Sequence, residues 1–219
     1  MRIQTLLLLL TFSGQVVAQE ARPQYWNDIQ AFKKQDSASF PGRGKILFVG
    51  SSSFTNWKDV QSYFPGYPLI NRGFGGSTLM DVIRYERDVI FPYQPKQIVI
   101  YCGENDFAAS DTVTSEMVFS RFKQLFNDIR KELPKVPVAY ISMKPSPSRI
   151  HLMPKVLEAN LSIKNFLKKK RKTDFIDVYY KMLTGDGKPM PEIFLGDSLH
   201  MNTKGYAIWQ KLIEPILVK

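Results

Sequence analysis

The chain has one cysteine and two histidines among 219 residues. A single thiol, Cys102, allows no intramolecular disulfide and no cysteine-based zinc cluster. No apolar stretch reaches the ~18 residues needed to span a bilayer as a helix. Internal repeats and low-complexity linkers are also lacking. Neither a Gly-x-x-x-x-Gly-Lys phosphate loop nor a G-x-G-x-x-G fingerprint occurs, so nothing points to a nucleotide. What is present is core material, 44% hydrophobic and 13% aromatic residues, which excludes disorder and fibrous classes. A chain of this length buries roughly 70% of its unfolded surface as one domain without covalent staples.

The first residues read as a targeting segment. Arg2 supplies a positive start, Leu6 to Phe12 an apolar stretch, and Val16-Val17-Ala18 a small-residue cleavage signal before Gln19. Residues 1–18 are therefore expected to be a signal peptide and residues 19–219 the folded domain, exported to a periplasmic or secreted location. No cysteine lies near the cleavage point to carry a lipid anchor, and Cys102 is expected as a buried thiol.

The net charge of +10 is local. Lys164, Lys168, Lys169, Lys170, Arg171 and Lys172 carry six of those positives, and without them the mature chain holds only +3. The run closes an amphipathic stretch from Leu152 to Leu167 with helical spacing, so its simplest role is to complement the macrodipole at a helix C-terminus. Acidic-surface binding is the alternative, and no nucleic-acid partner is expected.

Short apolar, β-branched runs alternate with longer helical patterns. Lys45–Val49, Pro68–Asn71, Gln97–Tyr101, Val136–Met143 and Thr173–Val178 read as buried strands. Helices are expected near Gln24–Gln35 and over Leu79–Phe91, Thr112–Leu133, Leu152–Lys172 and Thr203–Leu217. This alternation predicts a three-layer α/β fold with a doubly wound, five-stranded parallel sheet in flavodoxin-like order 2-1-3-4-5. Ligands in such sheets bind beyond the carboxyl ends of the strands.

Polar punctuation gathers at those ends: Gly50-Ser51-Ser52-Ser53, Asn71 to Thr78, Gly103-Glu104-Asn105-Asp106, and Gly196-Asp197-Ser198-Leu199-His200 before the last helix. Singly, each is an ordinary turn or cap. Together they supply an alcohol nucleophile, anion-stabilising groups, and a base with an acid to orient it. Asp197 and His200 lie three apart, within one turn or tight loop. His151 sits in a Pro- and Ser-rich stretch with no acid near it in sequence and is expected to be solvated or structural. The G-x-S-x-G elbow of α/β-hydrolases is absent around Ser52.

These four blocks, in order and across nearly all of the mature chain, resemble those of the SGNH (GDSL-type) esterase/lipase hydrolases. Gly50-Ser51-Ser52 stands where the family has G-D-S, with Ser51 replacing its Asp, and Trp57 follows five residues after Ser52. Gly76 matches the oxyanion-hole glycine, Gly103 to Asp106 the G-x-N-D block, and Asp197 to His200 the D-x-x-H block. The resemblance implies a Ser52–Asp197–His200 triad and an oxyanion hole built from Ser52 N–H, Gly76 N–H and the Asn105 side chain. It implies hydrolysis of a carboxylic ester through an acyl-enzyme, with no cofactor and no metal. Short-acyl esters of a carbohydrate or similar alcohol are the expected substrates. A lysophospholipase or thioesterase-type acylhydrolase, or a non-catalytic carbohydrate- or acyl-binding module, are alternatives on the same fold. No long apolar lid is visible, and the Tyr63-Phe64-Pro65-Gly66-Tyr67 turn is expected to wall a small acyl pocket.

Overall fold

The computed structural model describes residues 22–219, so the signal-peptide reading of residues 1–18 lies outside the described residues. In chain order the elements are α1 (Trp26–Ala38), β1 (Ile46–Gly50), α2 (Ser52–Thr55), α3 (Val60–Tyr63), β2 (Leu69–Gly73), α4 (Leu79–Val89), β3 (Gln97–Tyr101), α5 (Glu104–Ala109), α6 (Ser115–Glu132), β4 (Val138–Ile141), α7 (Met153–Leu167), β5 (Thr173–Ile176) and α8 (Thr203–Ile213). The strands pair in parallel in the order β2-β1-β3-β4-β5, as the alternating pattern predicts.

The strands lack a polar face because both faces are covered. Leu47, Val49, Ile98, Ile100, Val138 and Tyr140 pack toward α1, α4, α6 and α7. Their neighbours Ile46, Phe48, Val99, Tyr101, Ala139 and Ile141 pack toward α2, α3 and α8. Each fully buried aliphatic or aromatic side chain is worth about 1.5–3 kcal/mol relative to exposure. The α8 side is dominated by rings: Trp57 stacks on Tyr206 with centroids 4.6 Å apart, and Trp209 meets Tyr101 edge-on at 4.7 Å. α1 is tied to the sheet through Asp36, which accepts from the buried Arg72 guanidinium and the Tyr93 hydroxyl, each at 2.5 Å. Burial and the bond to Asp36 push the Tyr93 hydroxyl up to about 12.

Three helices end at least two residues earlier than their apolar periodicity suggests, at Val89, Leu167 and Ile213. The largest difference is at α7. The Thr173 hydroxyl donates to the carbonyls of Leu167 and Lys170, closing the helix end where β5 must begin. The basic run therefore does not form the last turn of a helix: only Lys164 lies within that turn. Lys169 to Lys172 line a cavity of about 650 Å³ with Arg130 and Lys135, at the amino ends of β4 and β5. Within the run, only Lys164 pairs with a carboxylate among the described residues, Asp177 at 2.9 Å. α2, α3 and α5 have four to six residues, too few for a periodic signal. No described helix is long and apolar enough to cross a membrane.

Candidate active site

β1, β2 and β3 end in one row, with Gly50 paired to both Gly73 and Tyr101. Gly50 has φ of 141°, and a Cβ there would stand 1.9 Å from the Tyr101 carbonyl oxygen, so only glycine fits. The chain then turns directly into α2. Ser51 takes its N-cap and Ser52 is its first residue. Ser53 is buried, and its carbonyl accepts from the Tyr206 hydroxyl at 2.9 Å, which pins α2 to α8.

Ser51 Oγ is a point of convergence. It accepts from Ser52 N–H at 2.7 Å and from Asn105 Nδ2 at 3.1 Å. Two of the three groups expected in an oxyanion hole thus aim at one spot beside Ser52. The second Asn105 amide proton goes to the Ser77 carbonyl at 3.1 Å. The third expected group, Gly76, is the one exposed residue of the loop between β2 and α4, with φ of +85°, and its N–H makes no hydrogen bond within the described residues. Gly75 beside it comes within contact range of the Ser52 side chain, since a Cβ on it would lie 3.8 Å from Ser52 Cβ. The Tyr25 hydroxyl would stand 3.0 Å from a Cβ on Gly76, a second reason for glycine there.

The other half of the site is built around Asp197. One carboxylate oxygen accepts from the backbone N–H groups of Leu199 and His200, both at 2.9 Å; the other meets His200 Nδ1 at 2.5 Å. The His200 side chain and those two backbone bonds hold the Asp197 carboxyl down at about 2. The ring's second nitrogen is left for other work. Ser198, with φ of 56°, turns the loop, and its carbonyl accepts from the Ser148 N–H and hydroxyl at 3.1 and 3.0 Å. No hydrogen bond joins Ser52 Oγ to His200; nucleophile–base pairs commonly close only in the substrate complex. Both side chains are open to solvent, with exposures of 48% for Asp197 and 26% for His200.

Several motif residues hold the site rather than line it. Asn71 bonds the Phe54 carbonyl and the Gly73 N–H, and Arg72 turns to Asp36 and Tyr93. Asp106 accepts from Leu79 N–H at the start of α4 and from Arg121, although burial raises its carboxyl above the usual range. Cys102 is a buried thiol with its proton directed to the Ser77 carbonyl, and burial pushes its ionisation well up. His151 is exposed, as expected. The Tyr63–Tyr67 turn, expected to wall an acyl pocket, lies at the wrong end of the sheet. It leads into the first residue of β2, whereas Gly73 at the other end faces Gly50, about 13 Å away at 3.3 Å per residue.

Sequence reasoning passed over the loop after β4. From it come Lys144, buried against Glu104 at 3.0 Å, and Arg149, which reaches both Glu104 and the Asn105 amide oxygen. The signal was positional: this loop leaves the carboxyl end of the fourth strand, the same edge as the four motif blocks. Among the described residues, no group of three or more His, Cys, Asp and Glu side chains converges as metal ligands would.

Known proteins agree with this architecture. A candidate acylhydrolase from Bacteroides fragilis superposes with a TM-score of 0.73 at 24% identity, covering 87% of this chain and 95% of that one. A GDSL-like lipase from Bacteroides thetaiotaomicron gives 0.70 at 23% identity, with 85% and 95% covered. An acetyl-xylooligosaccharide esterase from Geobacillus gives 0.61 at 15% identity, with 81% and 96% covered. A search of curated proteins returned no match. The GDSL-like lipase/acylhydrolase family matches residues 36–208. Spanning most of the folded chain, that match and the α/β architecture around Ser52 place the protein in the GDSL-like (SGNH) lipase/acylhydrolase family of carboxylic ester hydrolases.

Proposed function

We propose that the protein is an exported serine esterase that removes short acyl groups, acetyl above all, from a carbohydrate or similar alcohol. The observation that carries the catalytic assignment is the convergence of Ser52 N–H and Asn105 Nδ2 beside Ser52, with the free Gly76 N–H in the adjoining loop. In this reading His200 Nε2 accepts the Ser52 Oγ proton as the oxygen attacks the ester carbonyl. The developing oxyanion displaces Ser51 Oγ as the acceptor for Ser52 N–H and Asn105 Nδ2, and Gly76 N–H joins them. Held near 2, Asp197 stays ionised at every working pH and stabilises the imidazolium as it forms. His200 then passes the proton to the leaving alcohol. Water, deprotonated by the same nitrogen, attacks the acyl-enzyme; the bond to Ser52 Oγ breaks, that oxygen takes the proton back from His200, and the acid is released. No step calls for a metal, so EDTA should leave the rate unchanged.

The small acyl group is supported by the exposure of Asp197 and His200, which leaves that side of the site without an apolar cover. The carbohydrate alcohol is supported by two neighbours of the same fold, the acetyl-xylooligosaccharide esterase and a carbohydrate esterase family 3 protein from Talaromyces cellulolyticus. Export rests on the Arg2, Leu6–Phe12 and Ala18 pattern. The deciding experiment assays the mature protein on p-nitrophenyl esters of increasing length and on acetylated xylooligosaccharides. Turnover of acetyl esters with release of acetate from the oligosaccharide is expected. Activity confined to long-chain or thioester substrates would overturn the substrate assignment, and no turnover of any ester would overturn the catalytic one.

A further inference from the structure

Asn105 is held at every polar position of its side chain. Arg149 Nη1 donates to Oδ1 at 3.0 Å, while Nδ2 donates to Ser77 O and Ser51 Oγ. A guanidinium only donates and a backbone carbonyl only accepts, so together they permit a single orientation of the amide. Arg149 is fixed in turn. The same Nη1 donates to Glu104 Oε1 at 2.9 Å, and Glu104 Oε2 accepts from Lys144 Nζ at 3.0 Å and the Tyr101 hydroxyl at 2.7 Å. Glu104 and Lys144 are 6% and 3% exposed, so water screens this cluster poorly. Burial pushes the Glu104 carboxyl up, but Lys144, Arg149 and the Tyr101 hydroxyl outweigh it and hold the carboxyl below the usual range. One carboxylate and two cations leave the cluster with a net positive charge on the Oδ1 side of the Asn105 amide.

We propose that Arg149 is a positioning residue for the hydrolysis. It acts through Asn105, fixing the edge of the amide that faces the ester oxygen and polarising the Nδ2 protons toward negative charge. Glu104 and Lys144 set its place. The proposal rests on the assignment of Asn105 as an oxyanion donor. Charge-assisted hydrogen bonds are roughly twice as strong as neutral ones, and an amide that accepts one becomes the better donor at its other end. The benefit arises only when charge develops on the substrate, so it belongs to kcat and not to substrate binding.

The experiment is a double-mutant cycle on p-nitrophenyl acetate with wild type, Arg149→Met, Asn105→Ala and the double variant. Active sites are titrated with a fluorophosphonate so that misfolded protein does not enter kcat. Arg149→Met should lower kcat about 10-fold with KM within about 2-fold, a fraction of the 10²–10³ expected for losing the donor itself in Asn105→Ala. In the Asn105→Ala background the same change should do nothing further. Arg149→Lys, which keeps the charge, should recover part of the loss and stands in for Arg149→Met in the cycle if the methionine variant does not fold. An unchanged kcat in Arg149→Met, with a lower melting temperature only, would make the residue structural and overturn the proposal. A further 10-fold loss in the double variant would show that Arg149 acts independently of Asn105, with the same consequence. If Asn105→Ala itself keeps full kcat, the oxyanion assignment fails, and the positioning role fails with it for that separate reason.

Discussion

At the carboxyl end of the sheet, the charged groups that hold the candidate site are paired: Asp197 with His200, Glu104 with Lys144 and Arg149, Asp106 with Arg121. At the amino end, beneath β4 and β5, the cavity lined by Arg130, Lys135, Lys169, Lys170, Arg171 and Lys172 holds six cations, none in an ion pair within the described residues. The partnered end has fixed dipoles pointing at a spot where charge can develop. The other end has no carboxylate in its lining: Arg130 donates to the Val136, Arg171 and Lys172 carbonyls, Lys172 to the Lys135 carbonyl, and the like charges repel one another. The comparison teaches that charge density does not locate chemistry in this fold. Preorganised bonds do, and the carboxyl ends of the strands supply the loops that make them.

The sharpest test of that contrast is Ser52→Ala, which should leave a folded protein with activity lowered by about 10⁴-fold or more. Ser51→Ala and Ser53→Ala should keep measurable turnover, and a fluorophosphonate adduct located by peptide mass spectrometry should sit on Ser52. An adduct on either neighbour would move the nucleophile and with it the convergence point. A different kind of break comes from the ring cluster behind α2. Trp209→Ala should cost about 3–5 kcal/mol of stability by denaturant unfolding, since no solvent reaches that side chain and its removal leaves a cavity that neighbours refill only in part. A cost under about 1 kcal/mol would show that the α8 side is packed more loosely than its contacts indicate.

Smaller effects follow. Glu86 on α4 has one carboxylate oxygen buried without a partner, and burial beside Asp128 raises its carboxyl to about 7. Between about 4.5 and 7 the folded state therefore holds a proton that the unfolded state has released, and stability falls as pH rises through that window. Glu86→Gln should raise the melting temperature more at pH 8 than at pH 4; an equal gain at both would rule out the linkage. Smallest of all, Lys169→Glu with Lys170→Glu should leave kcat on small esters unchanged while weakening salt-sensitive retention on an anionic matrix. A fall in kcat would connect the two ends of the sheet and break the contrast.

Much of this was legible in the chain before folding. Apolar runs alternating with helical patterns pointed to a parallel sheet covered on both faces, and five strands with right-handed crossovers suited the order 2-1-3-4-5. The candidate site residues were picked out because three of the four motifs sit where a strand ends and the fourth precedes the last helix. Boundaries were less so. α7 ends at Leu167 because the Thr173 hydroxyl reaches back to its last carbonyls, a contact that apolar periodicity does not encode. Likewise the Tyr63–Tyr67 turn reads as a pocket wall until strand direction places it at the amino end of β2.

By itself, then, the sequence determined which residue types could do chemistry and along which edge of the sheet they would lie. Only the tertiary structure decided that Ser51 Oγ is the meeting point of two amide donors, and that Arg149, 44 positions beyond Asn105, fixes that side chain. The reason is physical. Strand and helix periods are local properties of neighbouring residues, whereas a hydrogen bond between loops depends on how every strand beneath them is registered. A slip of one residue in that register would turn the strand side chains to the opposite face and carry the loops above them out of reach of one another.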